Sequence, residues 1–124
     1  MPDTNDLWPE NIADSNLTTP VTILKEQAAL LGEKTRQLVK GEIVTQTTGN
    51  LFVHYFYIVA PTLGYKFELF QISHGINFYP LTLRYLNNTI ALASESAFKE
   101  KLKEILAAQH TLNVVHSILA QVRS

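Results

Sequence analysis

The segment that most constrains the fold is the run from Leu51 to Ala60, because it is apolar on both faces of the strand that it predicts. Side chains alternate between the two faces of a strand. One face therefore carries two valines and two tyrosines, and the other carries two phenylalanines, a histidine and an isoleucine. The first face has Val53, Tyr55, Tyr57 and Val59. The second face has Phe52, His54, Phe56 and Ile58. An antiparallel strand that meets water on one side alternates apolar with polar residues. We therefore expect both faces to be covered, by helices of this chain or by a second subunit or partner.

The hydrophobic period is close to two from residue 42 to residue 86, which predicts four strands. Their approximate bounds are 42–48, 51–60, 65–73 and 77–86. Gly49-Asn50 is typical of a two-residue hairpin loop, and the segments at 61–64 and at His74-Gly75 are typical of turns. Three consecutive tight turns predict an antiparallel meander, in which the strands lie side by side in chain order.

Helical periodicity flanks the predicted sheet on both sides. Thr19-Pro20 is a typical helix start, and the apolar spacing predicts a helix over 20–39 that ends at Gly41. The C-terminal pattern predicts one long helix or two short ones, capped by Ser94 or Ser96. We favour two, with a joint near 109–111 and Thr111 capping the second. The order α-β-β-β-β-α-α predicts an α+β domain, and it leaves open which helix covers which sheet face.

Residues 1–19 differ from the remainder in charge. They include four acidic residues and no Lys or Arg, whereas residues 20–124 contain ten basic and seven acidic residues. Prolines and polar residues favour a flexible acidic arm here, followed by a single domain at 20–124. The alternative is an arm that packs Leu7, Trp8 and Ile12 onto its own domain or a neighbour, since Trp8 is the only tryptophan.

Composition excludes several classes of function. The 124 residues include no cysteine, so disulfides, thiolate metal sites and cysteine nucleophiles are excluded. A formal net charge of -1, with only Lys66 and Arg84 as bases in the central sheet region, disfavours nucleic-acid binding. The sequence has no run of 18 apolar residues and no signal-peptide pattern, so we expect a cytoplasmic protein without a membrane span. The five glycines are isolated, so we expect no phosphate loop and no cofactor.

His54 and Glu68 are the candidate catalytic residues, because they lie in the two central strands. A buried carboxylate beside a histidine can act as a general base. Alternatively, Glu68 lies on the surface of the sheet and pairs with a neighbouring basic side chain, and it then needs no catalytic role. Counting from the turn at 61–64 places His54 opposite Gln71 and away from His74, so we expect no metal site shared by these histidines.

The aromatic residues of the predicted sheet favour a binding surface. Ten of the twelve aromatic residues lie between Phe52 and Tyr85. Simple alternation in strand 65–73 places Tyr65, Phe67 and Leu69 on one face. It places Lys66, Glu68, Phe70 and Ile72 on the other face. One sheet face is then strongly apolar and the other is mixed, and tyrosine suits a mixed face because its ring packs while its hydroxyl stays hydrated. The candidate binding residues are Tyr55, Tyr57, Phe70, Tyr79, Tyr85 and, on the arm, Trp8.

These features predict a non-catalytic protein-interaction module that forms a homodimer or binds a protein partner. Small adaptors, chaperones and immunity or antitoxin proteins are of this kind. The alternative is a small-molecule-binding or enzymatic domain with a pocket between sheet and helices. Its polar groups would come from His54, Tyr57, Glu68 and Arg84, although His54 and Tyr57 fall on opposite faces of their own strand. The sequence specifies neither a partner nor a substrate.

Overall fold

A computed structural model describes residues 6–124 and has the predicted α+β architecture, with an antiparallel sheet between one N-terminal and two C-terminal helices. The helices are α1 (Pro20–Lys34), α2 (Glu95–Leu106) and α3 (Gln109–Val122). The strands are β1 (Lys40–Thr48), β2 (Leu51–Ala60), β3 (Tyr65–His74), β4 (Leu81–Tyr85) and β5 (Asn88–Leu92). They form one sheet in the order β1-β2-β3-β4-β5, which confirms the meander. The sheet has five strands rather than the four predicted.

The additional strand follows a turn that the sequence analysis missed. The predicted last strand, 77–86, is shorter in the structure, because residues 75–80 are irregular and β4 begins only at Leu81. Leu86 then adopts the left-handed conformation, with φ of 56°, in the two-residue turn Leu86-Asn87. The chain reverses and β5 pairs with β4, from Tyr85 opposite Asn88 to Leu81 opposite Leu92. The outer edges of the sheet are therefore β1 and β5.

All three helices pack on the same face of the sheet. Ala28 of α1 lies directly over Gly41 of β1, and Gly41 is paired with Ile58 of β2. Residues of α1 and α3 lie over Phe56 and Ile58, which are both buried. On α2, the ring centre of Phe98 lies 6.5 Å from that of Tyr79, just before β4. The core lies between this face and the helices, and the opposite face is not covered by any helix of residues 6–124.

A β-bulge in β3 changes the side-chain alternation that the sequence predicts. Tyr57 is paired with Glu68, but the next residue back, Phe56, is paired with Phe70, so Leu69 has no partner in the register. Because of the extra residue, each later residue of β3 points to the sheet face opposite to the one that simple alternation predicts. Phe70 is consequently buried on the helix side, stacked on Phe56 with ring centres 5.1 Å apart. The prediction that Phe70 shares a face with Glu68 was therefore wrong.

The helix starts agree with the sequence analysis better than the ends do. Thr19 and Ser94 cap α1 and α2 by accepting hydrogen bonds from Thr22 N–H and Ala97 N–H, as predicted. However, α1 ends at Lys34, five residues early, because Arg36 and Gln37 adopt left-handed φ values of 54° and 66°. The Gln37 N–H donates to the Gly32 carbonyl at 2.8 Å and closes the helix.

The C-terminal segment forms two helices, as favoured from the sequence. The joint is at Ala107-Ala108, slightly before the predicted position. Thr111 does not cap α3, because its hydroxyl donates instead to the Ile105 carbonyl at 2.7 Å. This buried hydrogen bond ties the first turn of α3 to the last turn of α2.

Replacement of Gly41 by alanine should destabilise the protein because β1 and α1 are in direct contact there. An added Cβ would lie 2.5 Å from both the Cα and the Cβ of Ala28, and backbone atoms cannot move aside cheaply. We expect Gly41→Ala to lower the free energy of unfolding by about 2 kcal/mol, measured by urea denaturation. Gly75→Ala is the matched control, since its nearest atom is 4.0 Å away. Equal stability of the two variants would contradict the close packing of α1 on β1.

Candidate functional site

The sheet surface opposite the helices is the candidate functional site, and we refer to it as the open face. It consists of the outward side chains of all five strands. They are Lys40, Glu42, Val44 and Gln46 of β1, Val53, Tyr55, Tyr57 and Val59 of β2, Lys66, Glu68, Gln71 and Ser73 of β3, Thr82 and Arg84 of β4, and Thr89 and Ala91 of β5.

An apolar stripe runs along the middle of the open face. Its members all come from β2, and each is half-buried: Val53, Tyr55, Tyr57 and Val59. The rings of Tyr55 and Tyr57 are stacked, with centres 6.3 Å apart and planes at 26°. Most of the flanking residues of β1 and β3 are polar, and the charged ones are exposed. The stripe is therefore a row of large apolar side chains with a polar border, which is typical of a protein-binding surface.

An ion pair crosses the stripe at one end. Lys66 of β3 and Glu42 of β1 lie on either side of Tyr57, and Lys66 Nζ is 3.2 Å from Glu42 Oε1. The same Nζ is 5.0 Å from the centre of the Tyr57 ring. Both charged side chains are exposed, so this pair contributes at most about 1 kcal/mol to stability. The ammonium group of Lys66 also lies within cation–π distance of the Tyr57 ring.

The six predicted binding residues do not form a single surface. Tyr55 and Tyr57 lie together on the open face, whereas Phe70 is in the core. Tyr79 and Tyr85 lie on the helix side. The Tyr85 hydroxyl is 3.3 Å from His110 Nδ1 on α3, and the buried Tyr79 hydroxyl has no hydrogen-bond partner within residues 6–124. Burial, with a smaller effect of Glu95, raises the pKa of Tyr79.

The sixth residue, Trp8, is on the N-terminal arm. Residues 6–19 contain a turn but neither helix nor strand. Trp8 is 72% exposed and Leu7 is 92% exposed, so the described part of the arm does not pack these residues onto its own domain. Residues 1–5, which belong to the same predicted arm, lie outside the described residues.

The two candidate catalytic residues lie on opposite faces of the sheet. Glu68 is exposed on the open face, and His54 is buried on the helix side. A proton transfer between them is therefore excluded. The pocket residues of the alternative prediction are separated in the same way, because Tyr57 and Arg84 are on the face of Glu68.

His54 instead meets His74, which the sequence analysis placed too far away. The bulge at Leu69 shifts the register by one residue, so His54 is opposite Ile72 rather than Gln71. His74 then lies diagonally across the same face, and the two Nε2 atoms are 3.1 Å apart. The two side chains are buried, with 4% and 7% exposure. Only the register, not the composition, could have predicted this pair.

The neighbours of the two histidines determine where the protons are. His74 Nδ1 is 2.7 Å from the Gly75 carbonyl oxygen, which can only accept, so this nitrogen carries a proton. In neutral His74 the Nε2 atom is then an acceptor, and it receives the Nε2–H of His54. His54 Nδ1 in turn accepts from the Thr45 hydroxyl at 2.8 Å. We refer to these groups, from Thr45 to Gly75, as the histidine chain.

Protonation of His54 is unfavourable in this setting. Burial lowers the pKa of His54 to about 4, and the charges of His74 and Lys25 act in the same direction. Two histidines alone do not make a metal site, and residues 6–124 contain no group of three or more His, Cys, Asp or Glu residues that could hold a metal ion. The hydrogen bonds of the histidine chain join β1, β2 and the end of β3.

Comparisons with known proteins provide no family assignment. No family model, curated protein or solved structure matches this chain. Within residues 6–124, no helix has the length and apolar character needed to cross a membrane.

The stability of the protein should fall in mild acid because of His54. Below its ordinary pKa of 6.5 the unfolded chain binds a proton at this residue, while the native state does not until about pH 4. We expect the free energy of unfolding to decrease by about 2 kcal/mol between pH 6.5 and pH 4 from this residue. Urea denaturation across that pH range measures the effect.

A comparison of variants separates His54 from the carboxylates. His54→Gln should have a lower stability near pH 7 but a flatter pH dependence than the wild type. His116→Gln, at an exposed position of α3, should keep the wild-type slope. The same slope in the His54→Gln variant would contradict this account of the histidine chain.

Proposed function

We propose that this chain is a non-catalytic protein-interaction module that acts through the open face. The observation that carries the proposal is the apolar stripe of β2 on a face that no helix of residues 6–124 covers. Helices that cover one face of a sheet and leave a tyrosine-rich stripe on the other make an asymmetric surface. Such a stripe gains free energy when a second surface removes it from water.

A second copy of this chain is the partner that the charges of the open face favour. Glu42 and Glu68 are level with Tyr57, and Arg84 is level with Tyr55. In one two-fold arrangement, the open faces of two copies pack together. The second copy is related to the first by a two-fold axis that lies between the faces and is perpendicular to the strands. Tyr55 of each copy then faces Tyr57 of the other, and each Arg84 comes beside the other copy's Glu68.

The other two-fold arrangement is electrostatically unfavourable. In this arrangement the two-fold axis lies between the faces and is parallel to β2. Glu42 of each copy then faces Glu68 of the other. The lysines Lys40 and Lys66 face each other in the same way, because both are level with Val59. Like charges in an interface cost several kcal/mol. The charges therefore favour the arrangement with the axis perpendicular to the strands. The strands of the two sheets are aligned in that arrangement, and aligned sheets pack readily.

The remaining prediction, a pocket built from His54, Tyr57, Glu68 and Arg84, has no support in the geometry. These side chains are divided between the two faces of the sheet, as described above. The helix side does contain cavities, but other residues line them. We therefore keep interaction through the open face as the proposed function.

Charge at the stripe should separate the two copies. The double variant Tyr55→Arg/Tyr57→Arg places four guanidinium groups in the proposed dimer interface, where they cannot be hydrated. We expect the wild type to be a dimer by size-exclusion chromatography with light scattering, and the variant to be a monomer. Tyr65→Arg is the matched control, since Tyr65 is an exposed tyrosine on the helix side, and this variant should remain dimeric. A wild type that is monomeric at all concentrations, or a dimer insensitive to the double variant, would refute the proposal.

A charge exchange tests the orientation of the dimer. Arg84→Glu should place a carboxylate beside the other copy's Glu68 and weaken dimerisation about tenfold or more. The double variant Arg84→Glu/Glu68→Arg restores opposite charges and should recover most of the wild-type affinity in sedimentation equilibrium. If the double variant is as weak as the single one, the two copies pack in a different orientation.

A further inference from the structure

The N-terminal arm carries apolar side chains that its own domain leaves in water. Between residues 6 and 19, four large apolar side chains are 58% to 92% exposed, namely Leu7, Trp8, Ile12 and Leu17. The same segment contains no Lys or Arg, and its acidic residues follow one another at a spacing of four, namely Asp6, Glu10 and Asp14. The arm is therefore an acidic, partly apolar segment that gains free energy when a second surface covers it.

A groove with basic sides lies between α1 and β1, at the outer edge of the sheet. Lys25 of α1 and Lys40 of β1 both line it, both are exposed, and neither forms an ion pair within residues 6–124. We refer to it as the basic groove. It is shallow, because Ala28 lies directly over Gly41 at its base. It therefore suits an extended chain that lies along it rather than a compact ligand.

The basic groove matches the arm in two ways. Its lysines carry the charge opposite to that of the arm's carboxylates. In addition, β2 is the only neighbour of β1 in the part of the chain that the structure describes. The backbone N–H and C=O groups on the free side of β1 are thus open to hydrogen bonds from an extended segment. Charge and strand edge together favour an acidic, extended segment as the occupant.

The arm begins near the far end of β1. A short connection, residues 35–39, joins α1 to β1, so the two elements lie side by side and run in opposite directions. Helix α1 begins at Pro20, eight residues before Ala28, which is about 12 Å along the helix. About four strand residues cover the same length. Because Ala28 lies over Gly41, α1 begins near the level of Thr45.

In the proposed dimer, this level lies beside the basic groove of the other copy. The two-fold axis crosses β1 at Ile43, which is paired with Phe56, the residue between the two stacked tyrosines. The axis is perpendicular to the strands, so the β1 strands of the two copies lie one over the other. Thr45 and Gly41 are each two residues from Ile43, in opposite directions. Each arm therefore begins level with Gly41 of the other copy, at the base of its basic groove.

The arm is long enough to reach this groove. From α1 of one copy, β1 of the other is two layers away, or about 20 Å, and α1 of the other is three layers away, or about 30 Å. An extended chain spans up to about 3.3 Å per residue, so Asp14 reaches about 17 Å from Thr19 and Glu10 reaches about 30 Å. These lengths bring Asp14 to the Lys40 side of the groove and Glu10 to the Lys25 side.

We propose that each N-terminal arm docks in the basic groove of the other copy, so that the two chains exchange arms. Asp14 then lies beside Lys40 of the other copy and Glu10 beside its Lys25. Trp8 packs along the groove, with its ring against the lysine side chains. The exchange rests on the open-face dimer of the proposed function, because that dimer brings each arm level with the other copy's groove.

Trp8 is the only tryptophan, so its fluorescence reports whether the arm is docked. In the wild-type dimer we expect emission at a shorter wavelength than in the monomeric Tyr55→Arg/Tyr57→Arg variant, because docking removes the ring from water. Acrylamide quenching of Trp8 should be weaker in the dimer by about twofold or more. Dilution of the wild type until it dissociates should give the same difference without a substitution.

The outcomes of this measurement separate arm exchange from dimerisation. A dimer in which Trp8 is quenched as strongly as in the monomer would overturn arm exchange and leave the open-face dimer intact. Protection of Trp8 in the monomer would show that the arm docks on its own copy, which also overturns the exchange. A wild type that stays monomeric at all concentrations refutes the dimer and the exchange together.

Mixing two charge variants tests whether the arm crosses between copies. Glu10→Lys and Lys25→Glu each place like charges in both arm contacts of a homodimer, so each should expose Trp8 and weaken dimerisation about threefold to tenfold. An equimolar mixture forms heterodimers in which one contact has both charges exchanged and the other is unchanged. Protection of Trp8 should then return to the wild-type level. If mixing restores nothing, the arms do not contact the other copy at Lys25 and the proposal is wrong.

Lys103→Glu is the matched control for the mixing experiment. Lys103 is exposed on α2, lies outside the basic groove, and forms no ion pair within residues 6–124. This variant has the same net charge as Lys25→Glu, but it should keep the wild-type dimer and the wild-type protection of Trp8. Its mixture with Glu10→Lys should not restore the protection that Glu10→Lys loses. Restoration by Lys103→Glu would show that net charge alone drives the association, and it would overturn docking in the groove.

Discussion

The bulge at Leu69 sets the position of everything that packs against the second half of β3. One extra residue there moves Phe70 onto Phe56 and moves Ile72 into the core. It also places both Leu69 and Phe70 on the helix side, so a single position of the strand supplies two large apolar side chains to the core. The burial of both Leu69 and Phe70 results from this local change in alternation.

A second constraint is the packing of all three helices on one side. Helix α1 approaches β1 so closely at Gly41 that no side chain fits between them, and α3 lies beside α1 over the middle of the sheet. The helices thereby cover the helix side of the sheet. The apolar residues of β2 on the other side then have no cover from the helices of residues 6–124. The surplus of apolar residues in β2 is divided between a core and a surface.

The sequence was informative where side chains follow a regular period and uninformative where the backbone departs from one. The two-sided pattern of β2 predicts both the core residues Phe56 and Ile58 and the open-face pair Tyr55 and Tyr57. The bulge has no such signal, because Leu69 and Phe70 are both apolar and neither is a glycine or proline.

Other features of the fold depend on backbone conformations or on packing that the residue types do not indicate. The early end of α1 requires left-handed backbone at Arg36 and Gln37, which are not residues that favour it. Strand β5 is short and only partly apolar, so its pattern is weak. These features could be found only in three dimensions.

The histidine chain has a consequence for which strand alignments are allowed. Without the bulge, His54 would lie opposite Gln71, and His74 would be turned toward the other face. His54 Nε2 would then be buried on the apolar side without its acceptor, at a cost of about 1 to 3 kcal/mol. An apolar pair at these two positions would accept either alignment with little difference. The two imidazoles thus penalise slippage of the central hairpin, and they make the pairing of β2 with β3 unique as well as stable.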